Sequence, residues 1–123
     1  TAPGLSPREA AARVLAADDE LGATRNEATR TDPLDKVIED YLAGIDALDF
    51  SACSPEFTRA FRAHRDAWER AIPFFAEFGE LRGEMHDLFD QVRETNEQEL
   101  KQIEDEIWST WDAVEAAATP TVP

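Results

Sequence analysis

Apolar residues recur every three or four positions along most of the chain, which is the spacing of one face of an α-helix. At about 100° per residue, the clearest run falls within an arc of about 80°. That run comprises Phe57, Phe61, His64, Trp68, Ile72 and Phe75. No segment shows the strict two-residue alternation of β-branched residues that is typical of a half-buried strand. The pattern therefore predicts an all-α fold.

Three helix starts are marked by a capping residue followed by a proline. Residues 6–7, 32–33 and 54–55 each combine a Ser or Asp side-chain oxygen with a proline at the first helical position. These pairs predict helices that begin near residues 7, 33 and 55. We expect the first helix to end near Leu21, with Gly22 just past its end and a polar linker after it.

The last 40 residues show helical spacing with one candidate break. Asn96 followed by Glu99 resembles a capping box, which predicts a fourth helix from about residue 80 and a fifth from about residue 97. An unbroken helix over residues 80–118 is the alternative. Together with the third helix, which carries the longest apolar arc, these segments predict a bundle of four to five helices.

The length of 123 residues suits one folding unit, and eleven aromatic residues supply large side chains for its core. We therefore predict a single helical domain over residues 1–123. Its ends, at about residues 1–5 and 119–123, lack periodicity and are expected to fray.

The formal net charge of −15 restricts the partners of the protein. Nucleic acids and anionic membranes attract proteins with an excess of Lys and Arg, so we predict that the chain binds neither. No run approaches 18 consecutive apolar residues, which predicts that no segment spans a membrane. The acidic surface is expected to keep the protein soluble, and recruitment of a basic partner or loose binding of divalent cations are the alternatives.

The chain has few residues that could hold a metal or cofactor. Cys53 is the only cysteine, and the only histidines are His64 and His86. Neither histidine follows a glutamate by three positions, as carboxylate-bridged di-iron bundles require. Haem, zinc-protease, phosphate-loop and calcium-loop motifs are also absent from the sequence. We therefore predict no metal site and no cofactor.

His64 interrupts an otherwise apolar helix face and is the main candidate for a functional site. A buried imidazole requires a hydrogen-bond partner, for which Glu104 and Tyr41 are the candidates, or it stays neutral. The simpler interpretation is a structural histidine within the core. The alternative is a small-ligand pocket lined by His64, Trp68 and Trp111, with an arginine such as Arg65 at its rim.

Three segments of the chain resemble a group of small bacterial proteins, many of them exported. The similarity spans about residues 48–118 and is carried by Cys-x-Pro-x-Phe at 53–57, His-x-x-x-Trp at 64–68, Arg-Gly-Glu-Met-His at 82–86 and Trp111. The group has no assigned activity, so the resemblance implies a helical fold and export. It also makes Arg82 and His86 candidate ligand-binding residues, although the periodicity alone places His86 on a solvent-facing surface near Asp90.

The sequence favours a non-catalytic, acidic interaction or accessory protein with an unknown protein partner, as a monomer or homodimer. The chain begins with Thr1, which a removed signal peptide would explain. We therefore expect a periplasmic or secreted protein. A ligand-binding protein or minor enzyme that uses the His64 pocket is the second hypothesis, and divalent-cation binding on the acidic helices is the third.

Overall fold

The computed structural model describes residues 6–118, which form four α-helices and no strand. The helices are α1 (Pro7–Ala28), α2 (Leu34–Asp46), α3 (Pro55–Ala76) and α4 (Met85–Ala118). The prediction of an all-α fold is confirmed, with a helix count at the lower of the two expected values. The predicted frayed ends lie outside the described residues.

The capping signals place two helix starts correctly. The Ser6 hydroxyl accepts from the Glu9 amide at 3.1 Å, and the Glu9 side chain accepts from the Ser6 amide at 3.4 Å, which completes a capping box. Ser54 caps α3 in the same way, by accepting from the Phe57 amide at 3.1 Å. The start of α2 differs because Pro33, which has no capping side chain, occupies the capping position.

The first helix is longer than predicted. The expected end at Leu21 and the polar linker over residues 22–31 are wrong, because α1 continues to Ala28 with Thr29 at its C-cap. Gly22 lies inside the helix with a negative φ, so it costs some stability without ending the helix. The next six residues include neither Gly nor Pro, and Arg25 among them packs against the other helices. Contacts with the other helices thus keep this segment helical, although its sequence has no apolar periodicity.

The last helix contains the predicted break as a kink. Asn96 has non-helical φ and ψ angles of −135° and 45°, and helical geometry resumes after it. The expected start near residue 80 is wrong, since α4 begins at Met85 after a short connection. One bent helix therefore replaces the fourth and fifth helices of the prediction.

The helices pack in a ring in which α1 contacts α2 and α4, and α3 contacts the same two helices. The apolar arc of α3 is buried as predicted, with Phe57, Phe61 and Phe75 at most 1% exposed. Pro73 lies on the exposed side of α3. The helix ends at Ala76, with Glu77 at its C-cap.

The end of α1 is joined to the connection between α3 and α4. Thr29 is fully buried, and its hydroxyl donates to the Gly83 carbonyl at 2.6 Å. The Gly83 amide returns a bond to the Thr29 carbonyl at 3.1 Å. Gly83 adopts a φ of 151°, which glycine tolerates and other residues rarely adopt. These two bonds fix the position of α1 beside the start of α4.

Candidate functional site

A cavity of about 330 Å³ opens between all four helices and is called here the tryptophan cavity. It is lined by Asp18, Asp19, Gly22, Ala23, Arg25 and Asn26 from α1, Tyr41 from α2, His64 and Trp68 from α3, and Ile107, Trp108 and Trp111 from α4. The volume lies at the lower end of the range of small-molecule sites, about 300–1,000 Å³.

The composition of α1 explains why the bundle leaves a space here. The helix buries small residues, Ala10, Ala11 and Val14, in its first half and then the carboxylate of Asp18. Gly22 and Arg25 follow one and two turns further on and face the other helices. At such positions a helix that packs on a core usually carries large apolar side chains. Glycine has no side chain to fill the space between the helices, and an arginine keeps its charged group near water. A space therefore remains between the helices at this point.

Arg25 is the one Lys or Arg side chain among the residues that line the tryptophan cavity. Its guanidinium carbon lies 4.6 Å from the centroid of the Tyr41 ring and 4.4 Å from that of the Trp68 ring. Both distances are within the range of a cation–π interaction. The two rings themselves meet edge to face at 5.8 Å. Burial lowers the pKa of Arg25, an effect that the neighbouring Tyr41 and Asp18 partly offset.

Asp18 and Tyr41 form a buried polar pair beside this cation. The Tyr41 hydroxyl donates to a carboxylate oxygen of Asp18. Burial raises the pKa of Asp18, while the Tyr41 hydrogen bond and the charge of Arg25 act in the opposite direction. The pKa of Tyr41 is also raised, by burial and by the adjacent carboxylate. The raised pKa of Tyr41 keeps the proton on the hydroxyl, which donates it to Asp18.

His64 is 4% exposed, and its Nδ1 contacts two groups on α4. These are the Ile107 carbonyl at 3.2 Å and the Thr110 hydroxyl at 3.0 Å. A carbonyl oxygen only accepts, so Nδ1 carries the hydrogen. The Thr110 hydroxyl itself donates to the Glu106 carbonyl at 2.8 Å and can accept from Nδ1. The opposite ring nitrogen, Nε2, therefore presents a lone pair, and no side chain among residues 6–118 donates to it.

Neither of the partners predicted for His64 is the partner in the structure. Glu104 pairs with Arg93 at 2.9 Å, and the Tyr41 hydroxyl is bonded to Asp18. The neutral state of the imidazole, which the prediction allowed, is the favoured one. Burial lowers the pKa of His64 to about 4, although its bond to the Ile107 carbonyl raises it in part.

Trp68 leaves a polar atom without a partner. Its side chain is 6% exposed, and its indole N–H has no hydrogen-bond acceptor within the part of the chain that the structure describes. No other fully buried side-chain nitrogen or oxygen in that part lacks a partner. A buried donor without an acceptor costs about 1–3 kcal/mol, which distinguishes Trp68 among the residues that line the cavity.

The structure brings together three of the predicted site residues, His64, Trp68 and Trp111. The rings of His64 and Trp111 lie 5.1 Å apart, and all three residues line the tryptophan cavity. His86 borders a smaller adjoining space of about 120 Å³, which shares Arg25 and Trp68 with the tryptophan cavity. His86 is exposed as the periodicity predicts, but its partner is Glu84, at 2.7 Å.

The other two predicted site residues lie elsewhere. Arg65 borders a separate groove of about 540 Å³ between α2 and α3, where it forms ion pairs with Asp46, Asp66 and Glu69 at 2.8–3.1 Å. Its predicted place at the rim of the His64 pocket is therefore wrong. Arg82 donates to the carbonyls of Gly79 and Leu81 and stabilises the connection before α4.

Sequence reasoning missed Arg25 and Asp18 as site residues. The linker predicted over residues 22–31 excluded Arg25 from any helix face. Extension of the first helix would have placed Val14, Asp18 and Arg25 on one stripe, at steps of four and seven residues. Two opposite charges on the inner stripe of a helix indicate a polar site, and this signal was present in the sequence.

No group of three or more His, Cys, Asp or Glu side chains among residues 6–118 is arranged to hold a metal ion. The acidic faces of the helices thus provide no argument for the cation-binding hypothesis. No helix within this range is both long enough and apolar enough to cross a bilayer. Comparison of the chain with protein-family models, curated proteins and solved structures gives no match.

Proposed function

We propose that the protein binds a small organic molecule in the tryptophan cavity. The observation that supports this most directly is the buried Trp68 indole N–H, for which residues 6–118 provide no acceptor. His64 adds an acceptor at Nε2, and Ile107, Trp108 and Trp111 provide apolar walls. A small apolar cavity with a few polar groups of fixed orientation is the usual form of a ligand site.

The polar groups of the cavity are suited to binding rather than to proton transfer. An effective general base has a pKa near the working pH, whereas the pKa of His64 is lowered to about 4 by burial. Asp18 is engaged by the Tyr41 hydroxyl. These groups orient a ligand through hydrogen bonds, which agrees with the non-catalytic role that the sequence favours.

Two variants that add the same side chain at different places test the proposal. Ala23 borders the cavity, so Ala23→Phe places a ring in its opening, whereas Ala43 is exposed on α2 away from the cavity. Indole, benzamide and benzoate serve as probes at millimolar concentration. A bound probe stabilises the folded state and raises the melting temperature. We expect at least one probe to do so in the parent protein and in Ala43→Phe, and none in Ala23→Phe.

Failure of all three probes to raise the melting temperature of the parent protein would contradict the proposal. An equal rise in the two variants would also contradict it, because the probe would then bind outside the cavity.

A role as an accessory protein for another protein stays a prediction, and one observation favours it. Trp108 is 62% exposed and lies at the rim of the tryptophan cavity, the only large apolar side chain exposed within residues 6–118. Tryptophan is enriched at the energetic centres of protein interfaces. Pull-down experiments with the parent protein and Trp108→Ser test this role, which predicts a partner that only the parent protein retains. Export and the oligomeric state stay predictions as well.

A further inference from the structure

The tryptophan cavity combines a hydrogen-bond donor that has no acceptor with a cation. The donor is the Trp68 indole N–H, which has no acceptor within residues 6–118. The cation is Arg25, whose Nε donates to the Asn26 side chain at 3.2 Å and whose guanidinium also donates to the Tyr41 hydroxyl. A cation beside an unpaired donor favours a ligand with a negatively charged acceptor group.

We propose that the ligand is a small aromatic carboxylate, whose carboxylate Arg25 holds while its ring packs against Trp108 and Trp111. This inference rests on the proposed function and names the class of ligand. The planar guanidinium group matches a carboxylate with two parallel hydrogen bonds, which a neutral carbonyl cannot accept in the same way. The volume of about 330 Å³ corresponds to roughly eleven water molecules at about 30 Å³ each, which limits the ligand to a small molecule.

The contacts of Arg25 prepare it for this role. Its position over the Tyr41 and Trp68 rings, at 4.6 and 4.4 Å, fixes the guanidinium before a ligand arrives. A fixed donor group costs less conformational entropy on binding than a mobile one. Asp18 and Tyr41 offset the cost of burying the Arg25 charge only in part, since the pKa of Arg25 stays lowered, so a further anionic contact is favourable.

Two carboxylates also border the cavity and must be weighed against Arg25. Asp18 already accepts a hydrogen bond from Tyr41, which spreads its charge over that pair. Asp19 is exposed, so water and salt screen its repulsion of an anion. Arg25 is partly buried between two rings, where its attraction is screened less. Only a direct two-point contact with the Arg25 guanidinium lets an anionic group outweigh the repulsion of these two carboxylates, and this contact is what distinguishes it from a neutral group of the same shape.

Benzoate and benzamide have nearly the same shape and differ in charge, so a comparison of their dissociation constants tests the proposal. Both constants are measured by NMR titration at pH 7 and fixed ionic strength. A charge-assisted bidentate contact should make benzoate bind at least about tenfold more tightly than benzamide. We expect this ratio to fall to about one in Arg25→Gln. Arg13, exposed on the same helix, provides the control variant Arg13→Gln, which keeps the ratio.

Arg25→Lys keeps the positive charge but lacks the planar guanidinium group, so it should reduce the ratio of the two affinities to an intermediate value. This variant tests the carboxylate assignment if Arg25→Gln does not fold. Equal affinities for benzamide and benzoate in the parent protein would overturn the carboxylate assignment and leave the proposed function intact. A benzoate preference that survives in Arg25→Gln would also overturn the assignment. If neither benzoate nor benzamide binds, the carboxylate assignment is overturned too. If indole also does not bind, the proposed function is contradicted as well.

Discussion

The sequence predicts the burial of His64, and the structure adds its hydrogen-bond partners. The apolar spacing correctly predicts that it is buried, and it leaves open whether a partner or a neutral state accommodates the imidazole. The partner on α4 was not predictable, because the group that fixes Nδ1 is a backbone carbonyl with no signature in the sequence. The tautomer follows from that partner and leaves the acceptor Nε2 for the cavity.

Protonation of His64 should destabilise the fold in a defined pH range. Its pKa in the folded state is about 4, below the ordinary value of 6.5, so the unfolded state binds the extra proton first. The stability that this neutral histidine contributes is complete above pH 6.5 and is lost as the pH falls towards 4. The expected loss is on the order of 3 kcal/mol. It can be measured by urea unfolding of the parent protein and of His64→Leu across this range.

His86→Leu is the control, since His86 is exposed and this variant keeps His64 and should therefore show most of the parent protein's loss of stability. The His64→Leu variant should lose less stability than the parent protein between pH 6.5 and 4. Identical pH profiles for the parent protein and His64→Leu would show that the imidazole takes up its proton as readily in the folded state as in the unfolded one.

At the scale of the helices, the sequence predicts α2 and α3 well and α1 poorly. The α3 stripe is both apolar and regular, so periodicity alone defines it. The second half of α1 is polar and is held by contacts of Arg25 and Thr29 with distant segments. A local pattern cannot report such contacts, which is why Gly22 was interpreted as the end of the helix and half of the site was missed.

Gly22→Ala tests the length of α1. Alanine inside a helix is about 0.5–1 kcal/mol more favourable than glycine, and the nearest atom to the added Cβ, on Arg25, is 3.5 Å away. We therefore expect this variant to be more stable by about that amount in thermal unfolding. Gly44→Ala is the contrasting variant, because its Cβ would lie 2.7 Å from Leu21, and it should show no such gain. A loss of stability in Gly22→Ala would indicate that the helix ends there.

Thr29 tests the junction between α1 and the connection that precedes α4. Thr29→Val keeps the shape of the side chain but removes the donor to the Gly83 carbonyl. The expected cost is about 1–3 kcal/mol in the free energy of unfolding. Thr31→Val is the control, since the Thr31 hydroxyl is exposed and should contribute less than about 0.5 kcal/mol. Equal effects of the two substitutions would contradict a stabilising role for the junction.

At the scale of the molecule, the all-α class and the strong acidity follow directly from the sequence. The cavity does not, because it depends on which helices are neighbours. His64, Trp68 and Trp111 share the predicted apolar faces, and their convergence requires the contact of α3 with α4. Asp18 and Arg25 enter the site only because α1 contacts both α2 and α4.

The net charge of −15 should make the fold sensitive to ionic strength. Self-repulsion destabilises a compact state of high charge, and added salt screens it. We expect the melting temperature to rise as sodium chloride increases from about 10 mM to 150 mM, where the Debye length falls from about 30 Å to about 8 Å. The melting temperature is measured by differential scanning calorimetry. A fall in it over that range of salt would show that the attraction within ion pairs outweighs the repulsion.

The most direct test of the ligand-binding proposal is the NMR resonance of the Trp68 indole N–H, assigned by its loss in Trp68→Phe. This buried donor has no acceptor in the described part of the chain, so a ligand in the tryptophan cavity should provide one. We predict a downfield shift of this proton on titration with benzoate, together with slower exchange with solvent. A resonance that stays unchanged at saturation with every probe that binds would contradict the proposal.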